Sequence, residues 1–212
     1  MSQDEVIAKH RSGEMHRFFA SQNDIAYLII KDTQPIYAFA ALRFCEEETS
    51  MKPSPDKALR EHVLYLLKGG GAHAKFEDVI KGFPPKLRGQ KPSGFPHSPW
   101  MLLEHMRIAQ SDILEFSRNA KHNSPEWPVD YSPKSEGPPN GGAWDASVKS
   151  FRADLKAMQD LVANPKTDLF ARIPWGDGQT ILREALLIAD HNAYHLGQLV
   201  DVRRLLGVWP KQ

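Results

Sequence analysis

The chain has 212 residues, of which 41% are hydrophobic and 25% are charged, a composition typical of a globular protein with one sizeable core. Its 27 basic and 26 acidic residues nearly cancel, so net charge gives no reason to expect binding to nucleic acid or to a membrane surface. The sequence has no apolar run long enough for a transmembrane helix, and its first residues lack the basic and apolar regions of a secretion signal. Because the only cysteine, Cys45, excludes an internal disulfide, we expect a cytoplasmic protein.

Residues 1–50 differ in pattern from the rest of the chain. The first twenty are compatible with a polar helix, and residues 25–30 and 36–40 with a short hairpin, which is marginally stable by itself. Met51 directly precedes the first complete amphipathic segment, so we expect the functional domain to comprise residues 51–212. Residues 1–50 would then be an extension of unknown role, and one hypothesis is that translation begins near Met51. Abundant peptides from residues 1–50 in mass spectra of the native protein would refute that hypothesis.

Four later segments carry apolar residues at the spacing of a helix with one buried face. The first begins at Asp56 after Pro55 and ends at a run of three glycines that starts at Gly69, a start and a stop typical of helices. The predicted long helices span residues 56–68, 99–119, 144–163 and 180–206, and a short helical piece is expected at about 73–81. We therefore predict an all-α fold, a four-helix bundle.

The connection over residues 121–143 is rich in proline and glycine. It is longer than the usual link between adjacent helices. This length predicts either a crossover that spans the bundle or a functional flap.

Three histidines form the most informative pattern. His191 and His195 are four residues apart in the last predicted helix, so they lie on one face, about 6 Å apart along the axis, where two imidazoles can bind one metal ion. His105 lies among apolar residues of an earlier helix, and a third imidazole from there would leave one coordination position open, as in catalytic sites. The alternative is that the pair lies on the helix surface. Apolar neighbours on the same face, Leu187 among them, favour the inward orientation and hence the metal site.

Other candidates carry weaker signals. His62, Trp100, Tyr194 and Gln198 could line a pocket, but His62 is more simply a core histidine, Gln198 a surface amide, and the aromatic residues packing groups. We expect the loop histidines (His73, His97 and His122) to be exposed, and the pair Arg203-Arg204 to be a solvated helix face. Because Asn192 follows His191, the His-Glu-x-x-His pattern of metalloproteases is absent.

Two segments carry a resemblance to a known family. They are residues 98–105, Ser-Pro-Trp-Met-Leu-Leu-Glu-His, and residues 190–198, Asp-His-Asn-Ala-Tyr-His-Leu-Gly-Gln, with a trailing Arg-Arg-Leu-Leu-Gly at 203–207. Over residues 56–209 the chain resembles the DinB-like superfamily, damage-inducible and YfiT-like proteins described as metalloenzymes. The resemblance implies a four-helix bundle of up-down-down-up order, frequent homodimers, and a divalent metal held by residues 105, 191 and 195. Some relatives resemble transferases that use low-molecular-weight thiols, and others resemble isomerases or hydrolases.

Two hypotheses follow. In the first, the protein is a metal-dependent enzyme, a transferase or hydrolase. Its three-histidine site holds a divalent ion, for which we expect Zn or Ni, and activates water or a thiol for reaction with a small molecule. In the second, it is a non-catalytic metal-binding or dimerising helical bundle of the stress response. Binding to DNA is suggested by the family name alone, and the sequence has no basic stripe that would favour it.

Overall fold

The computed structural model describes residues 54–210, which form five α-helices and no strand. The helices are α1 (Pro55–Lys68), α2 (Phe76–Ile80), α3 (Pro99–Arg118), α4 (Ala143–Ala163) and α5 (Ile181–Leu205). Two short 3-10 turns, Pro85–Leu87 and Val129–Tyr131, lie in the connections. The all-α prediction is confirmed, and the expectations for residues 1–50 lie outside the described residues. No described helix combines the length and the apolar character that crossing a bilayer requires.

The helices begin where the sequence supplies caps. The side chains of Ser54, Ser98 and Thr180 each accept a hydrogen bond from a backbone N–H in the first turn of α1, α3 and α5 respectively. A proline follows the cap of α1 and of α3, where its missing N–H costs nothing. At the end of α1, Gly69 takes a φ of 64°, a conformation that residues with a Cβ rarely adopt.

The long helices pack as a four-membered bundle in which α3 and α1 each contact both α4 and α5. Helices α3 and α4 run parallel, because Glu104 contacts Ser147 at one level and Gln110 contacts the Phe151 carbonyl one to two turns further along both helices. Helix α5 runs antiparallel to α3, since Gln110, after His105, bonds Asn192, before His195. A parallel α3–α4 pair requires the chain to cross the bundle between them, which accounts for the long connection at 121–143.

Two apolar clusters fill the bundle. One surrounds Leu103, Met106 and Leu199, and the other surrounds Leu114, Met158 and Ile188; all six are at most 1% exposed. Side chains of this size stabilise the fold by roughly 1.5–3 kcal/mol each when fully buried. The site described below therefore sits on helices whose positions are fixed by their own core.

Two buried arginines join elements that are distant in sequence. Arg203, 3% exposed, donates hydrogen bonds to carbonyls at the end of α2 and to the carbonyl of Val208. Arg60, 9% exposed, donates to three carbonyls at and beyond the end of α4 and pairs with Asp56. The expectation of a solvated Arg203 is wrong, because backbone carbonyls replace the water that its guanidinium would lose on burial.

Three other expectations about exposure are also wrong. His62 and Leu187 are exposed, and not part of the buried faces of α1 and α5. His97 and His122 are partly buried, although they lie in connections; His73 is exposed, as expected.

Candidate metal centre

The three predicted histidines converge in the bundle. The Nε2 atom of His105 lies 3.1 Å from Nε2 of His195 and 3.1 Å from Nε2 of His191. All three side chains are partly buried, and their ligand atoms lie within 4.8 Å of one another. Within residues 54–210 this is the only group of three or more histidine, cysteine or carboxylate side chains spaced to hold an ion. Helical spacing brings His191 and His195 together, and the antiparallel packing of α3 against α5 adds His105.

Hydrogen bonds to the outer nitrogens fix two of the rings. His105 Nδ1 lies 2.7 Å from the main-chain carbonyl of Tyr131, and His195 Nδ1 lies 2.8 Å from the side-chain oxygen of Gln198. Because a carbonyl oxygen can only accept, each Nδ1 must carry the proton and donate it. In the neutral form, Nε2 of both rings is therefore an unprotonated acceptor directed into the cluster.

The environment opposes protonation of His191 and His195. Burial, followed by the proximity of His195 and His105, lowers the pKa of His191 from 6.5 to about 4. Burial is also the largest cause that lowers the pKa of His195. Near neutral pH these two imidazoles are thus uncharged, so each carries one ring proton and keeps one nitrogen with a free lone pair.

These residues fit a divalent cation. The Nδ1 protons of His105 and His195 are donated outward, so in the neutral tautomers their bare Nε2 atoms face each other at 3.1 Å, where neither can donate to the other. A metal ion is the partner that satisfies several such lone pairs at once, and neutral imidazole is its commonest side-chain ligand. Tetrahedral nitrogen ligands about 2.0–2.1 Å from one zinc ion lie roughly 3.3 Å from each other, close to the observed spacing.

A buried amide pair lies beneath the cluster. The side chain of Asn192 donates to Gln110, which donates in turn to the carbonyl of Phe151, at 2.8 and 2.7 Å. This chain ties α5 to α3 and α4 at the level of the histidines. His191 Nδ1 and Asn192 Oδ1 are buried beside it, without a hydrogen-bond partner among the described residues. Buried polar atoms without a partner are unusual in a folded interior, so these two atoms leave hydrogen-bonding capacity open beside the cluster.

The four pocket candidates take different positions. Gln198 contacts the cluster through His195, as described above, and Tyr194 is 65% exposed with its ring centroid 4.8 Å from that of His195. Trp100 is 5% exposed and belongs to the apolar core, as its alternative interpretation held. His62 is exposed on α1 and is not among the clustered histidines, so the core interpretation of His62 was wrong.

Sequence reasoning missed a second layer around the cluster. The carbonyl of Tyr131 comes from the 3-10 turn in the crossover, and a backbone atom has no residue-type signature. The phenol of Tyr131 donates to Asp112 on α3, which also contacts His122. Burial, with this bond to Asp112, raises the pKa of Tyr131, so its hydroxyl remains a donor at neutral pH. The crossover is therefore fastened to α3 beside the histidines.

His97 is a further histidine whose charge interacts with those of His105 and His195. Burial first, and then the charges of His105 and Lys91, lower the pKa of His97. His97 is therefore an uncharged base near neutral pH, a state that suits it to accept a proton.

The all-α bundle and its three partly buried imidazoles place the protein in the class of helical bundles with a candidate metal-binding site. Residues 71–199 match the family model of the DinB superfamily. This span covers more than half of the 212 residues and includes all three histidines, so the chain belongs to the DinB superfamily. No curated protein and no solved structure matched the chain.

Proposed function

We propose that this protein is a metal-dependent enzyme in which His105, His191 and His195 hold one divalent ion through their Nε2 atoms. The observation that carries the proposal is the pair of acceptor nitrogens, on His105 and His195, facing each other at 3.1 Å while their Nδ1 protons are already donated. Imidazole ligands favour Zn²⁺ or Ni²⁺ over Mg²⁺ and Ca²⁺, which prefer oxygen.

Three histidines leave room for an exogenous ligand. When bound, the divalent metal ion would act as a Lewis acid and lower the pKa of a water molecule or a thiol in the open coordination position. The chain's own part is to orient the imidazoles, through Gln198 and the Tyr131 carbonyl, and to offer a proton acceptor, for which His97 is a candidate.

The substrate that we propose is a small molecule, with a low-molecular-weight thiol as nucleophile or co-substrate. Tyr194 supports this proposal, because its exposed ring lies beside His195 and gives an apolar part of a small molecule a surface to cover. The reaction class is transfer of the thiol to an electrophile, in the manner of an S-transferase, or hydrolysis if water replaces the thiol. The thiol-rich, reducing cytoplasm is the compartment in which we place it.

We also propose a homodimer through one face of α5. Leu187 and Leu205 share this face at helical spacing, and they are 36% and 61% exposed. Sedimentation velocity of the full chain tests this point, with a species of twice the monomer mass expected.

The function is tested with full-length protein purified without a metal-affinity tag. Elemental analysis is expected to find about one zinc or nickel per chain. With the metal present, a screen that follows loss of glutathione-like thiols against a set of electrophiles is expected to detect turnover. His195→Ala should abolish both, whereas His62→Ala, at an exposed histidine outside the cluster, should change neither.

Two outcomes would favour the non-catalytic bundle instead. One is absence of both bound metal and metal-dependent turnover. The other is a bound ion whose removal by chelation lowers the melting temperature sharply, as expected of a structural site. In an enzyme of this design the apolar clusters keep the bundle folded without the ion.

A further inference from the structure

Asp112 places a carboxylate at a largely buried position of α3, where helix packing does not require a charged side chain. It follows His105 by seven residues, so both lie on one face of α3, about 10 Å apart along the axis. Its side chain is only 12% exposed, yet no basic residue of the described chain is paired with it apart from a histidine. Keeping a carboxylate in such a place costs free energy unless its oxygens are satisfied.

Both oxygens of Asp112 are used, and both partners belong to the crossover. Oδ1 accepts from Nε2 of His122 at 2.7 Å, near the start of the crossover. Oδ2 accepts from the hydroxyl of Tyr131 at 2.6 Å, in the 3-10 turn. One carboxylate thus fastens the segment 122–131 to α3 at both of its ends.

The same tyrosine reaches the histidine cluster through its backbone. The carbonyl of Tyr131 accepts the Nδ1 proton of His105 at 2.7 Å. The ring of Tyr131 is further restrained by Trp127, whose centroid lies 5.2 Å away in an edge-on arrangement. Fixing the Tyr131 ring fixes its own carbonyl, and this carbonyl decides which nitrogen of His105 carries the proton.

From these contacts we infer that Asp112 is a positioning residue: through Tyr131 it holds the crossover carbonyl that keeps Nε2 of His105 bare and directed at the other two imidazoles. The inference rests on the proposed metal site, and it assigns the crossover a role in that site. Without Asp112, the turn at 129–131 moves away from α3 and His105 loses its preference for the tautomer with the proton on Nδ1.

A measurement on metal-free protein tests the inference directly. Nitrogen-15 NMR of histidine-labelled protein, recorded above pH 7.5, distinguishes protonated from bare imidazole nitrogens. In the wild type, His105 should show protonated Nδ1 and bare Nε2. Asp112→Asn and Tyr131→Phe should each give a mixture of both tautomers at His105 and leave the signals of His195 unchanged. Glu115→Gln, at a carboxylate on the same helix that pairs with Arg118, is the matched control and should behave as wild type.

Zinc affinity supplies the second readout. Each of the two variants should bind zinc roughly 10-fold more weakly in a chelator competition, the usual effect of losing a partner of a ligating histidine. The double variant should be no weaker than either single variant, because both changes break the same connection. A purely structural anchor would lower the melting temperature and leave the tautomer and the affinity as they are.

Unchanged His105 signals in both variants would overturn the inference, whatever the metal result. If the wild type binds no zinc, the proposed function fails, and the tautomer measurement still decides the role of Asp112. If Asp112→Asn does not fold, Tyr131→Phe carries the test, since it removes only the one hydroxyl that bonds Asp112 and keeps the aromatic ring and the backbone.

Discussion

Helix α5 carries polar side chains in two partly or fully buried regions, and the two regions differ in whether the chain supplies their hydrogen-bond partners. Arg203 is 3% exposed, and its donors reach four backbone carbonyls, so the protein itself satisfies its guanidinium. Eight residues earlier, about 12 Å along the same helix, His195 directs a bare nitrogen at the bare nitrogen of His105. In that second region the two acceptors cannot satisfy each other, and a proton on Nε2 of His191, 3.1 Å from His105, satisfies at most one of them.

This difference in hydrogen-bond partners distinguishes a side chain that stabilises the fold from side chains that are positioned to bind a ligand. A buried group whose partners all belong to the chain stabilises the fold, and its removal leaves those partners unpaired. A buried group that lacks a partner in the chain adds little to the stability of the fold, but it is positioned to bind an ion or a ligand from solution. The guanidinium and the imidazoles should therefore respond to substitution in opposite ways.

The largest effect is expected from removal of a clustered histidine. His191→Ala should weaken zinc binding by about 10²–10³-fold, since three ligands share a binding free energy on the order of 10 kcal/mol. The free energy of unfolding of the metal-free protein should change by less than about 1 kcal/mol, because the apolar clusters are intact. Calorimetric titration with zinc and denaturant unfolding measure the two quantities. A large loss of metal-free stability would remove the contrast with Arg203.

Removal of the buried arginine should show the reverse pattern. Arg203→Ala leaves the carbonyls at the end of α2 without donors, so we expect a loss of about 3 kcal/mol and a melting temperature lower by roughly 6–12 °C. Thermal unfolding of the metal-free variant measures this loss. Arg204→Ala is the matched control, since the side chain of Arg204 is 60% exposed, and it should change stability by less than about 0.5 kcal/mol. An equal effect of the two substitutions would contradict the assigned role of Arg203.

The histidine region should also make metal-free stability depend on pH. The pKa of His191 is lower in the folded protein, about 4, than in the unfolded chain, about 6.5, so the unfolded chain binds the proton more readily. Stability from this group is complete above pH 6.5 and falls as the pH drops toward 4, by on the order of 2 kcal/mol, because partial exposure of the side chain reduces the full effect of the pKa difference. The measurement is the difference in unfolding free energy between wild type and His191→Ala across this range. A difference that does not vary with pH would show that burial of the imidazole is less complete than the structure indicates.

The smallest effect is expected at the outer partner of His195. Gln198→Ala removes the acceptor of the Nδ1 proton, so zinc affinity should fall by about 10-fold while the melting temperature stays within about 2 °C of wild type. Gln90→Ala, at an exposed glutamine in the loop before α3, serves as the control in the same chelator competition. An affinity equal to that of wild type would mean that His195 is oriented by packing alone.

The sequence predicted those parts of the structure that depend on local rules. The helix starts at Ser98 and Thr180 follow from caps within the same few residues, and the pairing of His191 with His195 follows from the pitch of one helix. The first helix was expected to begin at Asp56, but its cap is Ser54, two residues earlier. The approach of His105 was also predicted, although it depends on tertiary packing, because apolar neighbours at helical spacing indicated which way it faces.

The features that were missed depend on contacts between distant segments. Burial of Arg203 requires carbonyls more than 120 positions earlier in the chain, and the Tyr131 contact uses a backbone atom of a loop. His62 was assigned to the core because it stands between leucines on α1, yet that stripe is wider than the buried face, and Leu66 is itself 50% exposed. The residue pattern shows which face of a helix is apolar, but it does not show how much of that face the neighbouring helices bury.

X-ray absorption spectroscopy of the zinc-loaded, tag-free protein decides whether the three histidines bind one ion together, because it counts the imidazoles around the ion. We predict three imidazole nitrogens at about 2.0–2.1 Å in the wild type, and two in His105→Ala if that variant retains the ion. A zinc shell with fewer than three imidazoles in the wild type, or a protein that retains no zinc, would contradict this prediction.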